Sequence, residues 1–203
     1  MAVAVLVAAV LHAFLPEELR LQSSTALPWI AVAALIVLIV LDPGRINRIR
    51  TASRVITDLL IGILTLSNAA AAILLVAGIV NNDSFADAQT LLSAGASVWV
   101  TNVILFALWY WDLDQGGPAE RALGSDRTPA FVFPEMQHPE HVPAGWRPVF
   151  VDYLAFSFAT AMAFSPTDVS AIKPWAKLLV VAESVISLGL AALVIARAIN
   201  IIA

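Results

Sequence analysis

The chain has 203 residues, of which 60% are hydrophobic and 13% charged, with a net charge of −4 and a mean hydropathy of +0.87. A soluble domain carries about 25% charged residues, so the composition excludes an ordinary globular domain and points to an all-α integral membrane protein in contact with the lipid bilayer. The absence of cysteine excludes disulfides, thiolate metal sites and a cysteine nucleophile, and no basic face of the size nucleic acid needs is visible.

A bilayer core of roughly 30 Å takes about 20 helical residues. The first apolar segment is Met1–Leu15, closed by Pro16 and Glu17-Glu18-Leu19-Arg20. It lacks the positive n-region of a signal peptide and reads as a short first span. The second, Leu27–Leu41, opens with Pro28 in its first turn and stops at Asp42-Pro43-Gly44. The third runs from about Ser53 to Val80 and ends at Asn81-Asn82-Asp83. The fourth, Ala88–Tyr110, carries Trp99 and leads into Trp109-Tyr110-Trp111, an arrangement suited to an interfacial aromatic belt. Residues 1–112 thus form an N-terminal four-helix transmembrane region.

The one long polar stretch, 113–147, contains Gly116-Gly117-Pro118 and further prolines at Pro129, Pro134, Pro139 and Pro143. Such punctuation disfavours helix or strand over most of it, and it reads as a polar loop. Residues 148–203 form a hairpin: Val149–Phe164, the break Ser165-Pro166-Thr167-Asp168, then Ile172 to about Ile202. The expected architecture is five clear transmembrane helices plus a sixth, short helix that either spans or re-enters.

The densest basic cluster is Gly44-Arg45-Ile46-Asn47-Arg48-Ile49-Arg50, with Arg54 just beyond. The positive-inside rule assigns it to the cytoplasm, and the 113–147 loop, two spans later, falls on the same side. If Val149–Phe164 crosses fully, Ser165–Asp168 lies outside and the C-terminal end inside. If it re-enters, Lys173 and Lys177 join the cytoplasmic side and the C-terminal end lies outside.

The stretch Ser157-Phe158-Ala159-Thr160-Ala161-Met162-Ala163-Phe164-Ser165-Pro166-Thr167-Asp168 resembles the pore helix and filter of bacterial potassium channels, with Asp152-Tyr153-Leu154 similar to the start of that helix. Pro174, Ala176-Lys177-Leu178, Glu183-Ser184 and Leu193-Val194-Ile195-Ala196-Arg197 resemble the inner helix. The whole chain also resembles a group of uncharacterised bacterial multi-span membrane proteins, through Gly116-Gly117-Pro118, Phe131-Val132-Phe133-Pro134 and Ala163–Asp168. The resemblance implies a multi-pass protein of the bacterial inner (cytoplasmic) membrane.

The filter pattern is altered. A potassium filter needs glycines so that successive carbonyls point at the axis. Ser165 and Thr167 occupy those positions, and Pro166 stands where a tyrosine is expected. A β-branched residue disfavours positive φ, and proline fixes φ near −65°. Potassium selectivity is therefore not expected. Hydroxyls of Thr160, Ser165 and Thr167, with the Asp168 carboxylate, could line a wider hydrated cation pathway. Equally, Ser165–Asp168 could be a turn and N-cap before the last helix.

Polar residues inside membrane segments are costly and often functional. Asp58 sits four residues from Arg54, a spacing suited to a pair on one helical face. Asn68 and Asn102 lie deep in their segments, where asparagine bonds between helices. Glu183 is expected to make a buried hydrogen bond or ion pair that fixes the hairpin, or to sense protons or cations. Small residues at Ala182, Ser184, Ser187, Gly189, Ala191 and Ala192 would let the last helix approach another closely. In the loop, His138 and His141 stand near Glu135 and Glu140. Pro139 works against aligning the two imidazoles on a helix, so these read as solvated groups, not a metal site.

No catalytic constellation, phosphate loop or zincin motif is present, and neither enzyme activity nor a cofactor is expected. The leading expectation is an ion-channel-like protein, a homotetramer passing small cations, because one re-entrant hairpin cannot enclose a pathway without symmetry. The alternative is a non-conducting membrane scaffold or accessory protein that keeps a channel-derived fold.

Overall fold

The computed structural model describes residues 2–19, 51–81, 87–124, 126–162 and 169–202. The predicted second span, the basic loop and Ala163–Asp168 lie outside the described residues. The protein is mostly helical. Residues 54–81, 88–116 and 174–202 form helical stretches long and apolar enough to cross a membrane, and two shorter apolar helices accompany them. Of the five clear spans expected, three are therefore present at full length. The first is a helix of only 12 residues, α1 (Ala2–Ala13), about 18 Å long.

The long helices are α2 (Thr51–Asn81), α3 (Ala88–Leu113) and α7 (Pro174–Ile202). α3 is the hub. Its N-terminus is capped by Asp87, whose carboxylate accepts from the Thr90 backbone N–H at 2.9 Å and from the Thr90 hydroxyl at 3.0 Å. From Thr101 to Leu108 every residue of α3 is buried, as expected of a helix apolar all round and surrounded by other helices. α2 presents a narrower stripe, with Ile61, Leu64, Asn68, Ala71 and Leu75 buried at helical spacing. Val5, Ala8 and Ala9 of α1 join Ile61, Leu64, Leu105 and Leu108 in one apolar cluster. Leu15 and Leu19 join Leu75, Leu91 and Val98 in a second.

α3 ends where the chain must turn sharply. Gln115, Gly116 and Gly117 have φ values of 51°, 85° and 99°. Glycine occupies this left-handed region without a Cβ penalty. A Cβ on Gly116 would lie 2.7 Å from Arg127 Nη1. Pro118 then starts the short helix α4 (Pro118–Ala122) at its first position, where a missing N–H costs nothing.

The stretch expected to be a polar loop is folded against the bundle. It holds strand β1 (Phe131–Val132), helix α5 (Pro134–Gln137) and two single-turn 3-10 helices. Phe131 and Phe133 are buried, and their rings explain the difference. The Phe131 centroid lies 4.9 Å from Tyr110, 5.3 Å from Phe156 and 6.1 Å from Trp175. Turn residues break the periodicity in sequence, while two phenylalanines bury enough apolar surface to order the chain around them.

Helix α6 (Phe150–Met162) runs antiparallel to α3: Phe150 packs on Trp111 at 6.1 Å, and Phe158 packs edge-on against Trp99 at 5.8 Å. β2 (Ser170–Ala171) pairs antiparallel with β1, in register Phe131↔Ala171 and Val132↔Ser170. The Ile172 N–H extends this link to the Ala130 carbonyl at 2.8 Å. α7 also runs antiparallel to α3, with Glu183 beside Tyr110, Ser187 beside Asn102 and Val194 against Gly95. α6 and α7 therefore both begin at the end of α3 that carries the folded loop.

Candidate functional site

The polar groups of this bundle collect in two places along α3. The first lies at the loop end. Asp114 is completely buried. One carboxylate oxygen accepts from the Ala130 backbone N–H at 2.6 Å, and the other accepts from the Tyr153 hydroxyl at 2.7 Å. The Asp114 backbone carbonyl accepts from Arg121 Nη1 at 2.6 Å. One residue thus holds the hub helix, the folded loop and α6 together. Arg121 lies 5.2 Å over the Tyr153 ring and 5.8 Å over Trp111, cation–π distances. Burial pulls its guanidinium below the usual value, while Tyr153, Asp114 and Asp112 act in the opposite direction. Arg147 closes the cluster by donating to the Arg121 carbonyl.

The second place lies about one to three turns deeper, between α3, α6 and α7. Glu183 of α7 has no exposed surface. The Tyr110 hydroxyl donates to its Oε2 at 2.5 Å. Its Oε1 is hydrogen-bonded with the Ser157 hydroxyl of α6. The Ser157 hydroxyl also donates to the Val103 carbonyl of α3 at 2.7 Å. Below this triad, Asn102 Nδ2 donates to the Ser187 hydroxyl at 3.0 Å. The α6 side of the site follows from local sequence. Tyr153, Phe156, Ser157, Thr160 and Ala161 are buried at spacings of three and four residues, so one helical face carries the phenol, the hydroxyls and the aromatic ring inward. The helix is started by Asp152, whose carboxylate accepts from the Val149 N–H at 2.7 Å, half of a capping box.

The sequence-predicted residues separate accordingly. Glu183 and Asn102 are brought together in the deeper network. Thr160 shares the buried face of α6, and Asp152 serves that helix's N-terminus. Asn68 lies apart, donating to the Val98 carbonyl at 3.3 Å across the α2–α3 contact. Arg54 and Asp58 form no ion pair. Asp58 and Arg54 instead stand beside Asp112 of α3, because α2 and α3 place these turns side by side. Asp58 Oδ1 and Asp112 Oδ2 are both buried without a hydrogen-bond partner among the described residues. Ala163, Phe164, Ser165, Pro166, Thr167 and Asp168 lie outside the described residues.

Tyr110, Ser157, Asp114 and Arg121 were not singled out in the sequence. Tyr110 reads there as an interfacial aromatic, and Asp114 as a loop residue. The available signal for Asp114 was its place two residues past Asp112, directly before the Gln115–Gly117 reversal. In the exposed loop, His138 Nδ1 lies 3.3 Å and His141 Nε2 3.7 Å from Glu140 Oε1, and no group of three or more metal-ligating side chains occurs among the described residues. Comparison with family models, curated proteins and solved structures finds no match to this chain.

Proposed function

We propose that this is a channel-like membrane protein in which α6, residues 163–168 and α7 form a re-entrant hairpin, and that four copies assemble around an axis to pass small cations without potassium selectivity. The observation that carries the reading is the shared starting end of α6 and α7. Phe150 lies at Trp111 and Phe158 at Trp99, so α6 descends along α3. The chain is nevertheless back at the folded loop by the β1–β2 pairing. A 13-residue helix is about 20 Å long, too short for the roughly 30 Å core. A seven-residue link between α6 and β2 can reach about 23–25 Å, enough to return along the length of α6. On this reading the folded loop and the basic cluster share the cytoplasmic side of a bacterial inner membrane.

α7 leaves Leu178, Val185 and Ile199 largely exposed, apolar surface that lipid or neighbouring copies would cover. A second reading, a non-conducting scaffold, is favoured by one observation: the polar side chains of α6 at Tyr153, Ser157 and Thr160 are all buried within a single chain. A hairpin used only for packing would show the same burial.

Two experiments test the reading. The chain lacks cysteine, so Asp126→Cys and Ser170→Cys can be labelled with a membrane-impermeant thiol reagent in sealed vesicles. Labelling from the same side is expected of a re-entrant α6, and labelling from opposite faces would sink it. The purified full chain should then be tetrameric by native mass spectrometry and pass cations in liposomes, with Asp168→Asn altering flux. A monomer with background flux would leave the scaffold reading.

A further inference from the structure

We infer that Glu183 carries a proton in the folded protein and uses it as the hydrogen-bond donor that ties α7 to α6. The hydrogen bonds around Glu183 need more protons than tyrosine and serine supply. Three oxygen–oxygen contacts run in series: Tyr110 Oη to Glu183 Oε2, Glu183 Oε1 to Ser157 Oγ, and Ser157 Oγ to the Val103 carbonyl. Each contact requires one hydrogen between its two oxygens, because two lone pairs at hydrogen-bond distance repel. Tyrosine and serine each contribute a single hydroxyl proton, and a helix carbonyl contributes none. Two protons cannot serve three contacts. The third belongs to the Glu183 carboxyl.

The direction of the chain then follows. Tyr110 donates to Oε2, Glu183 donates from Oε1 to Ser157, and Ser157 donates to Val103. Every oxygen in the series is satisfied. With an ionised Glu183, the Ser157 proton could serve the carboxylate or the Val103 carbonyl but not both, and α6 would lose its bond to either α7 or α3. The surroundings agree. Glu183, Ser157 and Tyr110 are completely buried. The charged or titratable side chain facing Glu183 from α3 is Tyr110, and α6 presents the neutral Ser157. No cationic side chain pairs with Glu183 among the described residues. A lone buried charge without such a partner is strongly disfavoured in the membrane interior.

Glu183 is thus a positioning residue. Its bound proton sets where α6 sits between α3 and α7, and that role stands whether or not ions pass along the hairpin.

The test uses the full chain in lipid bilayers. Glutamine presents an N–H donor and a carbonyl acceptor in the geometry of a protonated glutamate. Glu183→Gln should therefore keep the wild-type amide protection of α6 and the wild-type melting temperature. Glu183→Ala and Ser157→Ala should lose protection across 150–162. Infrared spectra of the wild type with ¹³C-carboxyl-labelled glutamate should contain a carboxylic-acid C=O band at neutral pH, absent from Glu183→Gln. A wild-type spectrum with carboxylate bands alone overturns the inference. So does a Glu183→Gln protein that fails to fold or that exchanges like Glu183→Ala, since an ionised glutamate is the state glutamine cannot imitate. Side-selective labelling reports on the re-entrant reading separately, so the two ideas fail by different results.

Discussion

The two halves of α3 are packed by different chemistry. The half nearest the folded loop, 101–113 with Asp114 just past its end, is held by polar groups: Asn102, Tyr110 and Asp114 each make a buried hydrogen bond to another element, and the Val103 carbonyl accepts one. The far half, 91–98, is packed mostly by size and shape. Leu91, Ala94 and Val98 form one apolar cluster with Leu190, Val194 and Ala198 of α7. Gly95 is a point of close approach, since a Cβ there would lie 2.7 Å from the Val194 side chain. Apolar contacts between helices in lipid are weakly discriminating, because the surrounding tails are equally apolar. Buried donors and acceptors accept only one arrangement, because leaving one unpaired is costly. The polar half therefore selects the position and register of α6 and α7, and the small-residue half lets α7 approach.

The sharpest way to break this contrast is Asp114→Ala. It strands the Ala130 N–H and the Tyr153 hydroxyl, two buried donors that cost about 1–3 kcal/mol each when unsatisfied. We expect a loss on the order of 3–5 kcal/mol in unfolding measured in detergent, with the 126–147 region exchanging first. A loss under about 1 kcal/mol would mean the loop is held by its aromatic rings alone.

In the other half, Gly95→Ala forces a methyl onto Val194. The expected cost is about 1–3 kcal/mol for overpacking. Val194→Ala in the same chain should recover much of it, a coupling that a double-mutant cycle reads directly. Additive losses would show that α3 and α7 do not meet at this point.

Gly117→Ala tests the reversal that brings Asp114 and the loop back onto the bundle. At φ 99° an alanine is strained, and its Cβ would lie 3.1 Å from the Asp112 carbonyl oxygen. A destabilisation of about 1–2 kcal/mol is expected, and unchanged melting would show that the turn relaxes freely.

The smallest effect is at Asp87. Hydrogen bonds from the Thr90 backbone N–H and then the Thr90 hydroxyl hold its carboxyl below the usual carboxylate range. A group lowered in the folded state stabilises above its unfolded value, and that stabilisation is lost as pH falls through the lowered one. Amide protection in the first turn of α3 should persist at neutral pH and fall under acid conditions. Asp87→Ala should show the reduced protection at every pH. Equal protection of both proteins at neutral pH would remove the cap from the account.

Much of this was legible in the chain. The composition pointed to a membrane protein, and the length of each apolar run among the described residues set its helix to within a few residues, because a long run of side chains that water rejects has few alternatives. Glu183 stood out as a carboxyl in an apolar helix, and Asn102 as an amide in another. Their partners did not stand out. A serine on α6 and a tyrosine at an expected membrane edge are ordinary residues in one dimension, and only the antiparallel packing of α6 and α7 on α3 brings them to Glu183. Asp58 shows the same limit in reverse: the four-residue spacing to Arg54 suggested a local pair, and the neighbouring helix supplied Asp112.

The folded loop marks the clearest division. Glycines and prolines at 116–118, 129, 134, 139 and 143 correctly excluded long helices and strands. They did not reveal that Phe131 and Phe133 would close on Tyr110, Tyr153 and Phe156. By itself the sequence determined the solvent, the helix lengths and the places where the chain breaks, since these depend on local hydropathy and backbone freedom. The tertiary structure alone decided which end α6 starts from and which hydroxyls face the buried carboxyls, since hydrogen bonds between elements depend on distances that no neighbouring residue encodes.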